Sequence, residues 1–537
     1  MTRLRNALGA LWLATFVSCS APSAPPAVHP GAARYDVEEK TVAMLQADLA
    51  AGRISSEGLV AAYLERIDAL DARGPTLRAV LALNPAARDA ARALDRERAA
   101  GRVRGPLHGI PVLLKDNIES ADALPTTAGS LALEHNVTGR DAPIVAQLRA
   151  AGAIVLGKAN LSEWANIRSS HATSGWSALG GLTRNPYALD RNPCGSSSGS
   201  AVAVAANLSA LAVGTETDGS ITCPSSMTGV VGLKPTLGLV SRTRIIPISA
   251  AQDTAGPVAR SVADAALLLQ ALAGPDPEDP ATVEARAHVS DYAAALSPQA
   301  LAGSRLGVLQ PFTGYLPQVD LLLSAAVAEL KRAGATVEII ERLPEPALPP
   351  DLDERELTAL LIDFRAELNT YLASTPTAVK TRSLAALIAF NREHAARELP
   401  HFGQELFVRA EATADHDRAA RALARSQNQA GAARALDALF DAHKLDALIA
   451  PTQSPAFTSD LVNGDHVLGG AAQLPAMAGY PHLSVPMGQV AGLPVGLSFI
   501  GPAWSEARLL ALGHAYEQRS QLRRKPEYPQ HAALAER

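Results

Sequence analysis

Pro193-Cys194-Gly195-Ser196-Ser197-Ser198-Gly199-Ser200 runs into an Ala/Val-rich helical stretch and a short apolar strand, and then into Gly214-Thr215-Glu216-Thr217-Asp218-Gly219-Ser220-Ile221. Glycines around both serine clusters allow close backbone approach to a ligand and conformations that a side chain forbids. Outward from this stretch, the chain alternates between helix-like and strand-like segments, with no repeat of fixed period. Strand-length runs occur at Ile110–Leu114, Ala153–Leu156, Ala210–Val213, Leu306–Leu309, Val337–Ile340, Asp446–Ala450, His482–Val485 and Val495–Ile500. Most lack polar alternation, which predicts strands covered on both faces. Ser55 and Ser56 predict the start of a helix with Leu59, Tyr63, Ile67 and Leu70 on one face. Asp89–Ala100 and Pro143–Ala151 read as helices closed by Gly101 and Gly152. The expected class is α/β: a large mixed, mostly buried β-sheet flanked by helices.

The 537 residues, 47% hydrophobic and 19% charged, suffice for one large core or two ordinary ones. With 48 basic against 53 acidic residues and no long run of like charge, nucleic acid is not an expected partner. Residues 357–439 are long, helical and nearly free of strand signals, and read either as an insertion that walls a cleft or as a peripheral layer. At the other end, Arg3 and Arg5 precede an apolar run at Ala7–Val17, too short to span a bilayer as a mature helix. Residues 1–20 therefore read as an export signal, cleaved after Ser20 or, as in a lipoprotein, before Cys19. Residues 21–34 read as a disordered spacer, 35–525 as the folded domain and 526–537 as a tail. Export predicts a periplasmic or secreted protein, lipid-anchored if Cys19 is acylated, with no transmembrane span in the mature chain.

Upstream of the serine clusters stands Gly109-Ile110-Pro111-Val112-Leu113-Leu114-Lys115-Asp116-Asn117; downstream stand Val230-Val231-Gly232-Leu233-Lys234-Pro235-Thr236 and Gly492-Leu493-Pro494-Val495-Gly496-Leu497. Together these spaced blocks resemble the amidase signature family, over nearly the whole mature chain. The resemblance implies that fold and hydrolysis of a carboxamide through an acyl-enzyme. It implies Ser220 as nucleophile, Ser196 as a bridging serine held by a cis peptide, and Lys115 as the base, with backbone N–H groups of Thr217, Asp218, Gly219 and Ser220 as the oxyanion hole. The residues agree with it chemically. A serine hydroxyl needs a base, and a lysine serves only when burial keeps it neutral, as the apolar strand before Lys115 would. Glu216, Asp218, Thr222, Cys194 and Ser198 depart from the commonest family pattern and are similar to the branch containing bacterial peptide amidases. Asp218 either shapes the polar end of the site or forms a turn with its carboxylate in solvent, the second being favoured.

Gly195-Ser196-Ser197-Ser198-Gly199 also fits the GxSxG elbow, with Ser197 as nucleophile, but the polar, proline-broken Asp190–Cys194 segment is no strand. No histidine grouping has metal-ligand spacing, and Asp415-His416-Asp417 reads as a solvated face; neither a metal nor a cofactor is expected. Cys194 and Cys223 are expected as buried free thiols, although an oxidising compartment would let them pair. Ser169, Trp176 and Phe402 are candidates for the substrate pocket; Trp164, Tyr371 and Phe407 are further aromatic candidates whose bland reading is core packing. The rival function is an exported, non-hydrolytic binding lipoprotein on the same scaffold. A transferase component that feeds ammonia to a partner working on aminoacyl-tRNA fits export poorly.

Overall fold

A computed structural model describes residues 35–344, 351–415 and 418–533. The export signal, the spacer, His416, Asp417 and residues 534–537 of the tail lie outside the described residues. From Asp36 onward the chain forms one compact unit.

In chain order the strands are β1 (Val80–Leu83), β2 (Pro111–Lys115), β3 (Ile154–Ala159), β4 (Trp176–Ser177), β5 (Gly181–Leu182), β6 (Leu211–Glu216), β7 (Val231–Lys234), β8 (Thr254–Ala259), β9 (Arg305–Leu309), β10 (Thr336–Ile340), β11 (Ala447–Pro451), β12 (His482–Val490) and β13 (Leu493–Ile500). Eleven of them form a single sheet in the order β1-β3-β2-β6-β8-β7-β12-β13-β11-β9-β10, while β4 and β5 make a separate small ribbon. The sheet is mixed: β2 runs parallel to both β3 and β6, and β8 runs antiparallel to β6. Every residue of β2, β3, β6, β7, β8, β11 and β13 is buried, as runs without polar alternation require. The edges β1 and β10 are more exposed.

All eight expected strands form, shifted by at most a few residues. Three more central or edge strands escape the pattern because they are short or carry breakers. β8 contains Gly256 and Pro257, residue types common in turns. Gly256 is instead required by packing, since a Cβ there would lie 2.1 Å from the carbonyl oxygen of Leu233. The ladder between β8 and β7 pairs only Val258 and Ala259, so Pro257 takes no part in it.

Helices cover the sheet. Ser55 caps the helix Ser56–Ile67 by accepting the N–H of Gly58, and Ser261 caps Val262–Leu272 through Asp264. The helix Ser198–Ala205, small-sided and wholly buried, lies among the central strands. At the other end of the chain, residues 528–530 are tied by backbone hydrogen bonds to the loop at 186–190.

The stretch expected to be helical forms Leu352–Ser374, Leu384–Glu393, Ala395–Glu398, Glu405–Glu411 and Arg418–His443. Leu361, Phe364, Leu368, Leu387 and Phe407 give this layer its own apolar core, which also takes up Trp164 and Tyr371 as packing residues. Carboxylates bind it to the body. Glu398 accepts from Ser130 Oγ at 3.0 Å and Leu131 N–H at 2.8 Å, and Glu367 accepts from Ala250 N–H at 2.9 Å.

At the centre of this join, fully buried Arg168 pairs with Glu163, approaches Glu398 Oε2 at 3.7 Å, donates to the Glu398 carbonyl at 2.7 Å and packs its guanidinium 4.2 Å from the Phe402 ring. Replacing Arg168 with Leu strands two buried carboxylates. The expected loss is about 3–5 kcal/mol, read as a lower midpoint in urea unfolding followed by intrinsic fluorescence; a midpoint equal to that of the parent protein would contradict this account.

Candidate active site

Lys115 is the last residue of β2, and its side chain is completely buried. Its Nζ lies 2.8 Å from Ser196 Oγ, 2.9 Å from Thr215 Oγ1 and 3.1 Å from the Thr215 carbonyl oxygen. A neutral amine has two protons and one lone pair. With its protons directed to the two oxygens of Thr215, the lone pair is left facing Ser196, as proton transfer from that hydroxyl requires. Desolvation pushes the Lys115 pKa down to about 7, against the opposing pull of the Asp253 and Glu216 carboxylates. Asn117 Nδ2 donates to Thr215 Oγ1 at 3.0 Å and completes the frame around the amine.

Ser196 follows a cis peptide bond with Gly195, and its carbonyl accepts from Ser162 N–H at 3.0 Å. Ser197 N–H donates to the Ser220 carbonyl at 3.0 Å, so the two serine loops touch through their backbones. The Ser197 hydroxyl donates to the Thr215 carbonyl at 3.0 Å and accepts Thr215 N–H at 3.2 Å. Buried and occupied in this way, Ser197 is a brace of the loop and not an exposed nucleophile, which removes the GxSxG reading.

After β6 the chain turns through residues 217–221 into the short helix Thr222–Met227. Gly219 has φ +72°, a conformation that glycine takes without strain. The N–H groups of Thr217, Asp218, Gly219 and Ser220 donate to no acceptor among the described residues. Behind the turn, Glu216 Oε2 accepts Ile221 N–H at 2.7 Å and Thr222 N–H at 2.9 Å, which explains an acid at that position. Water reaches the Asp218 side chain, in keeping with the solvent-facing expectation. Desolvation by the surrounding protein, followed by the Glu356 and Glu216 charges, drives its carboxyl pKa well up.

One expectation is corrected. Cys194 and Cys223 are not free thiols but a disulfide. Their separation in the chain conceals that the contact between the serine loops brings their Cα atoms to 5.9 Å, within bridging range.

Ser169, Trp176 and Phe402 gather around Arg168. Ser169 Oγ donates to Glu405 at 2.9 Å, and the Trp176 and Phe402 rings meet edge to face at 5.2 Å. None of the three lines the cavity of about 400 Å³ that adjoins the Lys115 frame. Its wall includes Asn117, Thr215, Thr217, Asp253, Glu367 and Thr370. Sequence reasoning missed Thr215 and Asp253. Thr215 stands inside the glycine/serine block and was available to it; Asp253 immediately precedes the unrecognised strand β8. Among the described residues no group of three or more His, Cys, Asp or Glu side chains is placed to hold a metal ion, and no helix is long and apolar enough to cross a membrane.

A family model described as Amidase matches residues 58–510. A probable amidase of Arabidopsis thaliana is 40% identical over 503 residues, covering 92% of either chain. A putative amidase of Schizosaccharomyces pombe is 35% identical over 532 residues, covering 93% of this chain and 88% of the relative. The solved structure of native peptide amidase from Stenotrophomonas maltophilia matches with a TM-score of 0.86 and 54% identity, over 91% of this chain and 99% of that one.

The geometry separates two candidate nucleophiles. A fluorophosphonate should attach to Ser220, mapped by peptide mass spectrometry, and Ser220→Ala should abolish the adduct. Attachment to Ser197 would overturn the reading of the loops.

Proposed function

The chain belongs to the amidase family and hydrolyses amides, and from this premise we propose that Ser220, Ser196 and Lys115 carry the reaction and that C-terminally amidated peptides are the substrate class. The observation that carries the proposal is the buried Lys115 amine 2.8 Å from Ser196 Oγ, with its proton affinity held near neutrality by desolvation. Ser220 Oγ attacks the carboxamide carbon. Its proton passes to Ser196 Oγ while the Ser196 proton passes to Lys115 Nζ. The oxyanion is received by the unengaged N–H groups of the Thr217–Ser220 turn. On collapse the relay runs backwards and delivers a proton to nitrogen, so that ammonia leaves and an ester remains on Ser220. Water then enters by the same relay and releases the acid.

Similarity to the peptide amidase of Stenotrophomonas maltophilia, at 54% identity over 99% of its chain, supports the choice of amidated peptides. A substrate panel tests both parts. Ammonia release should be faster from amidated dipeptides than from long-chain or aryl amides, and the opposite order would overturn the substrate class. In the same assay, kcat should fall as pH drops below about 7, because protonated Lys115 accepts nothing from Ser196. Lys115→Arg should be as inactive as Lys115→Ala, since guanidinium stays charged; an active Arg variant would show that the base is another group.

The proposal extends to export, to the periplasm or beyond, with lipid anchoring at Cys19 as one form of it. The Cys194–Cys223 disulfide supports this, because such bonds persist in oxidising compartments. Mass spectrometry of the protein isolated from its own cells should find a chain starting between Cys19 and Ala24, with an added diacylglyceryl mass if Cys19 is acylated. A full-length chain in the cytoplasm would refute it.

A further inference from the structure

Thr217, the first residue of the turn that ends in Ser220, is gripped on both of its polar sides. Its hydroxyl donates to Asp253 Oδ1 at 2.6 Å, and its carbonyl accepts from Gln252 Nε2 at 3.3 Å. Gln252 is itself held by Glu356 Oε1 at 2.6 Å, from the helical layer. The other oxygen of Asp253 accepts Ile248 N–H at 2.8 Å and Ser249 N–H at 2.9 Å. A carboxyl that meets only donors is bonded as an anion. Burial raises its pKa, and the charged groups that interact with it include Lys115, Arg242 and, from the helix Leu352–Ser374, Glu367.

Asp253 also shares the wall of the 400 Å³ cavity with Asn117, Thr215 and Thr217, the first two of which frame the Lys115 amine. Two carboxylates act electrostatically on that amine, Asp253 and Glu216. Glu216 is already committed to the N–H groups that follow Ser220. Asp253 is tied instead to the entrance of the turn, where the unengaged N–H groups begin.

We propose that Asp253 is a positioning residue for the hydrolysis: its carboxylate anchors Thr217, and with it the oxyanion-binding turn, while its negative charge stabilises the ammonium that Lys115 becomes on taking the relayed proton. The proposal rests on the Ser220–Ser196–Lys115 reading. It couples two requirements of the transition state, a fixed set of donors and a stabilised cation, in one side chain that need not touch substrate. Removing the charge and removing the anchor therefore have different signatures. Loss of the anchor lets the turn drift and slows the chemistry at every pH. Loss of the charge also makes protonated Lys115 less stable, so the acid limb moves to lower pH.

The test is the second-order rate of Ser220 labelling by a fluorophosphonate as a function of pH, which does not depend on the natural substrate. Asp253→Asn should label roughly 10- to 100-fold more slowly, the scale on which a misplaced catalytic group loses rate, with its acid limb displaced to lower pH. Thr217→Val should slow labelling comparably but keep the wild-type limb, and Asp253→Glu, which keeps the charge, should also keep the limb. A slower Asp253→Asn enzyme whose limb has not moved, or a Thr217→Val enzyme of wild-type rate, would overturn the proposal. If Asp253→Asn does not fold, Thr217→Val and Asp253→Glu decide: slower labelling by Thr217→Val with the limb of both variants in place supports the proposal, and a wild-type rate for Thr217→Val or a displaced limb for Asp253→Glu overturns it. Failure of the underlying reading looks different, since Lys115→Ala would then keep both the rate and the limb of the parent.

Discussion

Everything in the site depends on keeping one amine out of water. Lys115 ends β2, which is sandwiched between β3 and β6 and buried along its whole length. Parallel pairing sets Leu114 opposite Val213, which brings the end of β2 alongside the stretch of β6 that supplies Thr215. A slip of one residue in that register would turn Lys115 to the opposite face of the sheet and separate it from Ser196. The ladder thus does more than build the core, because it determines which side of the sheet the Lys115 amine occupies. Desolvation alone would make a buried lysine uselessly reluctant to take a proton. Asp253 and Glu216 oppose desolvation by attraction, and both also hold backbone N–H groups or hydroxyls of the adjoining turns. The same two carboxylates therefore both hold the turns and act on the charge of Lys115.

Much of this was legible in the sequence. Eight strands could be read because buried strands leave unbroken apolar runs, whereas Lys115, Ser196 and Ser220 stand out through the resemblance of the spaced blocks to the amidase signature family, with which the apolar strand before Lys115 agrees chemically. What escaped was contact between distant segments. Cys194 and Cys223 could pair in an oxidising compartment, but their sequence does not show that the two serine loops meet, through the hydrogen bond of Ser197 N–H to the Ser220 carbonyl among others. Asp253 carries no local signal, because the strand after it contains Gly256, demanded by crowding against Leu233, and Pro257, and so lacks an unbroken apolar run. Ser169, Trp176 and Phe402 were chosen by residue type alone. Their gathering around a buried arginine is a matter of three-dimensional packing that no local pattern records.

The helical layer is joined to the catalytic half by polar contacts as well as by its own apolar core. Ser249 Oγ donates to Asp363 Oδ2 at 2.5 Å, Glu367 receives Ala250 N–H, Glu356 holds Gln252, and Glu398 caps the segment at Ser130 and Leu131. Several of the donors, on Ser249, Ala250 and Gln252, lie within a few residues of Asp253. Apolar contacts tolerate sliding and exchange of similar shapes, whereas buried carboxylates do not, because each needs its own donor.

That difference bears on how such a scaffold can be diversified. A chimaera that exchanged residues 352–443 for the matching helices of a relative would keep Arg168, Ser249 and Gln252 paired only where the incoming helices carry carboxylates in the places of Glu398, Asp363 and Glu356. The heritable module is therefore larger than the helical block: it comprises the helices together with the loops at 163–168 and 248–253, and recombination boundaries placed outside all three are the ones compatible with a working enzyme.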